Sequence, residues 1–383
     1  MDTYFAVTAP GLEPFTALEL TTLGFQLSAS SFKPSDGGIL FKGDLTGLYR
    51  ANLQLRTASR ILARLGTFFY ATTFPELQKR TSRLPWERCL TPGQPVAMRV
   101  TCHQSKLYHS DAVARSVSAG MEERLGKASP LVKTDEEADG HPPQLILVRL
   151  VDDKCTISVD SSGELLHKRG YRLAVAKAPL RETLAAALLM ASGWDQSAAL
   201  LDPFCGSGTI PIEAALMSLG IPPGINRRFA FMDWPGFDSQ KWTDIRNGSA
   251  SIHPSSFSVD PAIFASDRDA GAIKMAQANA ERAGVEDSVE FKCQAVSSIT
   301  PPAGLGWVVT NPPYGVRVSQ GKDLRNLYAQ FGNVMRRQCS GWSLAVLFND
   351  PVLLGQMHMD LNTSLGFING GIGVRVARGK ITP

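Results

Sequence analysis

Four consecutive residues, Asn311, Pro312, Pro313 and Tyr314, follow an apolar run and combine groups that suit the binding of a planar amine. Asn311 precedes a proline, which favours an extended backbone, and neither proline has an N–H group to donate. The result is a stiff kink that presents acceptors, namely the Asn311 side-chain oxygen and the Pro312 carbonyl. Tyr314 adds a face on which a nucleic-acid base can stack, which contributes about 1–3 kcal/mol per base.

These acceptors suit one kind of chemistry, the methylation of an exocyclic base amine. Such an amine is a poor nucleophile because its lone pair is delocalised into the ring. Hydrogen bonds from both amine hydrogens to Asn311 and Pro312 favour a pyramidal nitrogen whose lone pair points at a methyl donor. No general base is obligatory, since the proton becomes acidic once the methyl group has transferred. The alternative is structural: the prolines only end a strand and Tyr314 is buried.

A second motif, DPFCGSGT over residues 202–209, joins an apolar strand to a helix through a glycine-rich turn. Gly206 and Gly208 allow backbone conformations and a close approach that a Cβ would block, so a flat cofactor can lie against the turn. A dinucleotide fingerprint would need a third glycine where Pro211 stands, and the sequence has no Gly-Lys-Ser/Thr of a P-loop. Asp202 would repel a pyrophosphate but suits a cationic ligand such as S-adenosylmethionine.

An acidic residue follows one strand later, because the run IFASDRD ends with Asp267 at the strand tip. A carboxylate there can accept both ribose hydroxyls of a cofactor, as in dinucleotide-binding folds. A glycine-rich turn alone is weak evidence, whereas the turn and Asp267 in this order are more specific. A tight turn that packs a helix onto a sheet, without a ligand, remains the structural alternative.

The elements that must position these motifs form the C-terminal part of the chain. From about residue 170, helical segments alternate with short all-apolar strands, which is typical of a doubly wound α/β sheet. The strands are AALLD, AIFASD, VEFKCQ, GWVVTN and SLAVLFND. Ligands bind beyond the carboxyl ends of such strands, where the strand order reverses. If ALLD and GWVVTN are neighbours at that reversal, Asp202 and Asn311 meet at one crevice.

The chain has 383 residues, more than one hydrophobic core usually supports, and the first 165 or so residues have a mixed α+β pattern. We expect three domains, over residues 1–50, 51–165 and 166–383. No apolar run reaches the roughly 18–20 residues of a membrane span, and the N-terminus lacks a signal-peptide pattern, so we expect a cytoplasmic protein. The six cysteines lie far apart without metal-ligand spacing, which predicts reduced thiols and no metal site.

Basic residues are concentrated near the N-terminus, although the net charge of the whole chain is only +4. From Arg50 to Arg115 there are eleven Lys and Arg against three Asp and Glu, an excess of eight. We predict a single helix over residues 45–69, on which Arg56, Arg60 and Arg64 fall four apart and line one side. This stripe suits contact with RNA phosphates, and the alternative is a solvated face with acidic partners.

The motifs LDPFCGSGT, SDRD and TNPPYG, in that order, resemble the class I S-adenosylmethionine-dependent methyltransferases that methylate amines. More narrowly, LHKRGYR, APLRETLAAALL, LDPFCGSGTIPIEAA and VVTNPPYGVRV are similar to the THUMP-domain RNA methyltransferases, which include bacterial 23S rRNA and tRNA guanine-N2 methyltransferases. The resemblance covers most of the chain. It implies a ferredoxin-like segment over residues 1–50, a THUMP RNA-binding domain over 51–165 and a class I methyltransferase domain over 166–383.

The same resemblance implies an enzyme with S-adenosylmethionine as cofactor and RNA as partner, without a membrane or a metal. The expected reaction is methylation of guanine N2 in a structured RNA, with 23S rRNA as the first candidate and tRNA guanine N2 or adenine N6 as alternatives. Some bacterial relatives carry a second methyltransferase domain after the first, so the end at Pro383 predicts one methylation only. The residues implied for the cofactor are Asp202, Phe204, Gly206, Gly208 and Asp267, and those for the target base are Asn311, Pro312 and Tyr314.

One position departs from the family pattern. Related sequences usually have an Asp after the third strand of the catalytic sheet, near the adenine amine of the cofactor, where this sequence has Ala295. The neighbouring Gln294 is the candidate to replace it. The departure keeps open a function of another class, an RNA-binding or assembly factor with a degenerate methyltransferase domain, and binding of S-adenosylmethionine would distinguish the two.

Overall fold

The chain forms two compact units, each built around one sheet. The computed structural model describes residues 2–28, 37–133, 143–172, 180–250, 263–314, 323–369 and 371–383. The first unit consists of Met1–Thr8, Ala17–Leu166 and Arg227–Arg246, and the second of Ala9–Thr16, His167–Asn226 and Asn247–Pro383. None of the helices in these ranges has the length and apolarity that a bilayer crossing requires. The same ranges contain no group of three or more His, Cys, Asp or Glu side chains that could hold a metal ion.

The N-terminal half alternates strands and helices. In chain order its elements are β1 (Asp2–Thr8), α1 (Glu13–Thr22), β2 (Gln26–Leu27), β3 (Gly38–Gly43), α2 (Leu45–Gln54), β4 (Ala58–Arg64), β5 (Phe69–Tyr70), α3 (Phe74–Thr81), β6 (Val96–His103), α4 (Ser110–Leu125), β7 (Gln144–Val151) and β8 (Lys154–Asp160). The strands form one sheet in the order β2-β3-β1-β4-β8-β7-β6, and β5 pairs with β8. This mixed α+β sheet agrees with the sequence prediction for the first 165 residues.

The predicted single helix over residues 45–69 is wrong. Helix α2 ends at Gln54, and the chain continues as β4, which pairs with β1 on one side and with β8 on the other. Leu, Ala and Arg are good helix formers, but pairing on both edges of β4 and burial in the sheet outweigh that local preference. Arg60 and Arg64 therefore belong to a strand, and Arg56 lies in the connection before it.

The C-terminal half has the alternating pattern that the sequence predicts. Its elements are α5 (Glu182–Ser192), β9 (Ala199–Asp202), α6 (Thr209–Ser218), α7 (Ser239–Ala250), β10 (Ile263–Asp267), α8 (Ala270–Ala283), β11 (Val289–Cys293), β12 (Gly306–Thr310), α9 (Arg325–Gln338), β13 (Ser343–Phe348), α10 (Pro351–Gly355), β14 (Asn362–Asn369) and β15 (Ile372–Lys380). All five strands proposed from apolar runs are confirmed.

The strand order of the second unit makes it a doubly wound sheet, which confirms the predicted fold class. The order is β11-β10-β9-β12-β13-β15-β14, with parallel pairing from β11 to β13 and antiparallel pairing of β15 with both neighbours. From β9 the chain proceeds to β10 and β11 on one side, and it then returns to β12 on the other side. The order therefore reverses between β9 and β12, where such sheets bind ligands.

Alternate residues of the central strands enter two different cores. Val309 and Leu347 belong to the core that also contains residues of α5, α6 and α8, whereas Val308 and Val346 belong to the core with α9. A sheet that is buried on both faces needs apolar side chains at every position, which explains the uninterrupted apolar runs. In β9, β10, β12 and β13, polar residues occur only at or next to the strand ends.

One segment between β9 and β10 in sequence belongs to the first unit. Phe229 and Phe231 are buried there, and the Phe231 ring stacks on Tyr49 of α2 with a centroid separation of 4.6 Å. Trp242 packs edge-on against Phe231 at 5.5 Å. Aromatic pairs in these geometries contribute about 0.5–1.5 kcal/mol beyond the burial of their area. The segment thus serves to pack the first unit.

Candidate functional site

The glycine-rich turn connects the end of β9 to the start of α6. Gly206 has a φ of +53°, and a Cβ added there would meet no atom within 4 Å. Gly208 has a φ of +85°, and its Cβ would come within 3.0 Å of the Cβ of Ala276 on α8. Both backbone conformations favour glycine. Gly206 faces open space, whereas Gly208 allows α6 to pack closely on α8.

Asp202 lies at the tip of β9 with its carboxyl group buried. Its Oδ1 accepts hydrogen bonds from Thr310 Oγ1 at 2.6 Å and from Phe204 N at 3.2 Å. Its Oδ2 is buried and has no hydrogen-bond partner among the described residues. Burial raises the pKa of Asp202 to about 7, and the nearby negative charge of Asp267 acts in the same direction. A cationic or hydrogen-bond-donating ligand at Oδ2 would offset this cost of burial.

Asp267, at the tip of β10, is tied to the same turn. Its Oδ2 accepts from the backbone N of Gly206 at 3.1 Å, and its Oδ1 accepts from Asp269 N at 3.0 Å. Each carboxylate oxygen has a second acceptor site, so Asp267 keeps the capacity to bind hydroxyl groups. Its backbone oxygen accepts from Gln294 N at 3.0 Å, which brings Gln294 and the exposed Ala295 beside it.

Two further predicted residues lie near Asp202. Phe204 follows it by two residues in the chain, and Asn311 lies at the end of the strand next to β9 in the sheet. Phe204 is partly buried, and its ring contacts Phe331 of α9 edge-on at a centroid separation of 5.2 Å. Asn311 directly follows β12, which pairs with β9, so the two predicted halves of the site meet at the reversal of strand order. The Oδ1 atom of Asn311 is buried and has no partner within the described ranges. The expected adjacency of ALLD and GWVVTN is therefore confirmed.

A side chain of α9 contacts the residues that follow Asn311. The hydroxyl of Tyr328 donates to the Pro313 carbonyl at 3.3 Å, and burial raises the pKa of Tyr328, so this hydroxyl stays protonated. Pro312 is buried, and the half-buried Tyr314 packs against the core that contains α6. Residues 315–317 of the VVTNPPYGVR motif lie outside the described residues.

Unpartnered polar atoms define the extent of the site. The carboxyl ends of four neighbouring strands, β10, β9, β12 and β13, each carry a buried side-chain oxygen without a hydrogen-bond partner in the described part of the chain. These atoms are Ser266 Oγ, Asp202 Oδ2, Asn311 Oδ1 and Asn349 Oδ1. One such atom costs about 1–3 kcal/mol, and although others occur elsewhere in the described residues, these four share the edge of the sheet at which doubly wound folds bind ligands.

Two of these four residues, Ser266 and Asn349, were missing from the sequence prediction. Each lies at or directly after the end of an apolar strand, in the runs FASD and LFND. Since ligands bind beyond the carboxyl ends of such strands, this position was a signal that could have found them.

A buried network supports the glycine-rich turn from behind. Asn279 of α8 donates its side-chain amide to the Ser207 carbonyl at 3.0 Å, and Arg282 contacts Asn279 Oδ1. Arg282 also donates Nε to the Tyr171 carbonyl at 2.7 Å, and the Tyr171 hydroxyl donates to Glu213 Oε1 at 3.2 Å. The HKRGYR segment is therefore part of the buried support of the turn.

The proposed arginine stripe does not exist as an exposed surface. Arg60 is buried, forms an ion pair with Asp160 and donates to the Gly163 carbonyl at 2.6 Å. Arg64 donates to Ser158 Oγ at 2.8 Å, and burial lowers its pKa to about 10. Arg56 is half-buried in the connection from α2 to β4. The interpretation of Arg56, Arg60 and Arg64 as one phosphate-binding helix face is wrong, because β4 carries two of them into the sheet.

Other basic side chains of the first unit are exposed. They include Lys79 and Arg80 in the last turn of α3, Arg83 after it and Arg115 on α4. Arg88 is also exposed and pairs with Asp2 at 2.5 Å. The positive charge that the sequence concentrates in residues 50–115 therefore reaches solvent around α3 and α4 and also at Arg88, Arg99 and Lys106.

Comparison with known families agrees with this architecture. Three family profiles match in order: the RlmL ferredoxin-like domain over residues 3–62, the THUMP domain over 71–160 and the RMKL-like methyltransferase domain over 169–375. The chain belongs to the RMKL-like methyltransferase family. In this RMKL-like methyltransferase the doubly wound sheet lies in the matched methyltransferase domain, which follows the ferredoxin-like and THUMP domains.

Individual relatives share most of the chain. The Putative RNA methyltransferase slr0064 of Synechocystis is 33% identical over 96% of this chain and 94% of its own length. The Ribosomal RNA large subunit methyltransferase K/L of Vibrio campbellii is 34% identical over 97% of this chain. The alignment covers 52% of that relative, so the chain spans about half the length of the K/L protein.

Two solved structures have the same fold over the whole chain. The crystal structure of SMU.472, a putative methyltransferase complexed with SAH, has a TM-score of 0.85 at 28% identity and covers 100% of this chain and 98% of its own. A predicted N6-adenine-specific DNA methylase from Listeria monocytogenes has a TM-score of 0.85 at 32% identity, with 100% and 96% covered. The first of these is bound to the demethylated product of S-adenosylmethionine.

Proposed function

We propose that this chain transfers a methyl group from S-adenosylmethionine to N2 of a guanine in a structured RNA, with 23S rRNA as the first candidate. One observation carries the proposal. Among the described residues, Asp202 and Asn311 each have a buried oxygen without a hydrogen-bond partner at the ends of two adjacent strands, and Thr310, which precedes Asn311, donates to Asp202. The K/L name of its relatives and the SAH in a similar structure support the choice of substrate and cofactor.

The cofactor half of the site fits the residues around the glycine-rich turn. When bound, S-adenosylmethionine supplies a methyl group on a positively charged sulfur. The open space at Gly206 would receive this ligand beside the turn, and Asp202 Oδ2 would gain a positively charged or N–H partner. Asp267, already fixed by Gly206 N, would accept the ribose hydroxyls, and Phe204 would cover one side.

The amine half of the site is formed by Asn311 and the Pro312 carbonyl. Asn311 Oδ1 and the carbonyl accept the two hydrogens of the base amine, which directs the nitrogen lone pair away from the ring plane. Tyr314 offers a face on which the base stacks. The amine proton leaves to water after transfer, because an N-methylated ammonium is strongly acidic and needs no dedicated base.

The RNA part of the proposal rests on the THUMP domain and on exposed basic residues of the first unit. Lys79, Arg80 and Arg83 reach solvent at the end of α3 and suit contacts with phosphates. A flipped-out base is required, since a paired amine cannot enter a buried site. A cytoplasmic location belongs to the same proposal, because the ribosome is there.

The test is nucleoside mass spectrometry on rRNA and tRNA from cells with and without the gene, followed by methylation in vitro with purified protein and S-adenosylmethionine. Loss of N2-methylguanosine from one RNA and its restoration in vitro support the proposal and identify the substrate. Loss of N6-methyladenosine instead would support the adenine alternative.

A second candidate function rests on the departure at Ala295. If no nucleoside changes and calorimetry detects no binding of S-adenosylmethionine at millimolar concentration, the chain acts as an RNA-binding factor without catalysis. Binding of S-adenosylmethionine together with a changed nucleoside would instead support the enzyme.

A further inference from the structure

Asn349 belongs to the same edge of the sheet as the amine site, but the mechanism above does not use it. It directly follows β13, the strand that pairs with β12 in parallel, and its Oδ1 is buried without a partner among the described residues. Ordinary folds leave few buried oxygens unpaired. An atom of this kind, one strand away from Asn311, calls for a ligand.

Extending the register of β12 and β13 by one residue past each strand end places Asn311 and Asn349 on a common face. Val309 and Leu347 lie in the same core, and each asparagine comes two residues later, which is one full period of a strand. Thr310 is opposite Val346, so Asn349 extends two residues further along the sheet than Asn311. With strands about 4.8 Å apart and about 3.3 Å per residue, the two Cα atoms are roughly 8 Å apart, a gap that a base edge spans.

The local backbone does not depend on the Asn349 side chain. Helix α10 is capped by the next residue, Asp350, whose carboxylate accepts from Val352 N at 2.8 Å. Asp350 is thus occupied with the helix terminus, and Asn349 is held in place by β13 and α10 on either side. An amide fixed in this way presents one acceptor and one donor group side by side.

We propose that Asn349 selects guanine by binding its N1–H and O6 groups while Asn311 and Pro312 hold the N2 amine. This inference rests on the proposed function, and it adds the residue that determines which base the proposed site accepts. The guanine edge presents N2, N1–H and O6 in a row, so Asn349 Oδ1 accepts from N1–H and Nδ2 donates to O6. Adenine differs because the atom next to its amine is an unprotonated N1, which repels a buried acceptor oxygen.

The experiment compares two substrates that differ only at this edge. The probe is the RNA fragment in which the wild-type protein methylates a guanine, made with either guanine or 2-aminopurine at that position. 2-Aminopurine keeps the amine at C2 but lacks both N1–H and O6. We expect the wild type to prefer guanine in kcat/KM by roughly 10- to 100-fold, the range of one bidentate side-chain contact to a base.

The variants are Asn349→Ala and Asn349→Asp, with Asn333→Ala as the matched control on the exposed face of α9. Asn349→Ala should lower kcat/KM on guanine by the same factor and leave the rate on 2-aminopurine unchanged, with cofactor affinity unaltered. Asn349→Asp keeps nearly the same side-chain shape, so its effect does not arise from a folding defect. It should also lose the preference for guanine, because a second acceptor oxygen then faces O6. The control should keep the wild-type preference.

Two results would overturn the inference, and a third would overturn the proposed function on which it rests. Equal losses of kcat/KM on guanine and on 2-aminopurine would show that Asn349 does not determine the choice of base. An unchanged preference for guanine in both variants would show that Asn349 does not contact the base. If the wild type methylates no guanine at all, the proposed function fails first, and this is visible without any variant. Failure of the inference and failure of the proposed function are therefore separate observations.

Discussion

Thr310 Oγ1 donates to Asp202 Oδ1 at 2.6 Å, between the ends of two adjacent parallel strands. Both side chains are buried. Thr310 is followed directly by Asn311, so this hydrogen bond connects the carboxylate of the proposed cofactor half with the backbone of the proposed amine half. The bond occupies only Oδ1 and leaves Oδ2 for a ligand. The relative position of the two halves is thus fixed by a contact within the sheet.

The substitution Thr310→Val removes this hydrogen bond and should shift the pH at which the affinity for S-adenosylmethionine is lost. The pKa of Asp202 is raised to about 7 by burial, and the bond from Thr310 opposes that rise. A protonated carboxyl does not attract a cation, so affinity for S-adenosylmethionine is present above the pKa and is lost as the pH falls through it. The variant should shift the midpoint of this loss to higher pH, as measured by calorimetry over about two pH units on either side of 7.

A flat pH profile in the wild type would contradict the role of Asp202 as a ligand-binding carboxylate. Asp202→Asn is the matched control, because it removes the titrating group and should remove the pH dependence between about 5 and 9. If Thr310→Val leaves the midpoint unchanged, the bond does not tune this carboxylate.

Asn311→Ala should abolish most turnover and largely preserve binding of S-adenosylmethionine. In the proposed site the side-chain oxygen acts on the amine and not on the cofactor, so kcat should fall on the order of 10²- to 10³-fold, as for other preorganised groups at a reacting centre. Asn311→Asp keeps an acceptor oxygen and should retain more activity than Asn311→Ala. Single-turnover rates and calorimetric Kd values measure the two effects, and unchanged turnover in Asn311→Ala would refute the amine-orienting role.

Tyr328→Phe tests whether α9 positions the residues that follow Asn311. The variant removes only the hydroxyl that donates to the Pro313 carbonyl at 3.3 Å and keeps the buried ring. A single hydrogen bond of this kind contributes about 0.5–1.5 kcal/mol, so kcat should fall by roughly 2- to 10-fold. The affinity for the cofactor should stay the same, and a parallel loss of that affinity would mean that the hydroxyl stabilises the whole site instead.

The sequence predicted the catalytic sheet well because its signals are local. Strands that are buried on both faces appear in the sequence as short apolar runs. The motif residues Asp202, Asp267 and Asn311 lie at or directly after the ends of such strands. The reversal of strand order then brings Asp202 and Asn311 together, and the structure agrees on this point. Gly206 and Gly208 were also predicted as a pair, although only Gly206 faces open space.

The errors come from contacts between residues distant in sequence. The helical pattern around Arg60 is a property of one segment, whereas its pairing with Asp160 joins residues one hundred positions apart. The segment from Arg227 to Arg246 belongs to the first unit because aromatic rings far along the chain pack on Tyr49. Asn349 was missed because an asparagine after a strand is common, so its position is a weak signal until its buried oxygen is seen to have no partner among the described residues.

Arg60→Ala should destabilise the first unit instead of weakening RNA binding directly. The substitution leaves the carboxylate of Asp160 buried without its ion-pair partner, which typically costs about 3–5 kcal/mol of unfolding free energy. Chemical denaturation measures this loss. Arg88→Ala, which breaks the exposed pair with Asp2, is the comparison and should cost less than about 1 kcal/mol. Normal stability in Arg60→Ala together with weaker RNA binding would restore the original interpretation of this arginine.

Replacing Lys79, Arg80 and Arg83 with Ala should weaken RNA binding without lowering stability. These side chains are exposed at the end of α3, so their loss leaves no buried charge behind. If all three contact phosphates, the slope of log K against log salt should decrease in magnitude by roughly 2–3, because each neutralised phosphate contributes about 0.7–0.9. Binding of the substrate RNA at several salt concentrations measures the slope. An unchanged slope would exclude this end of α3 from the RNA-binding surface.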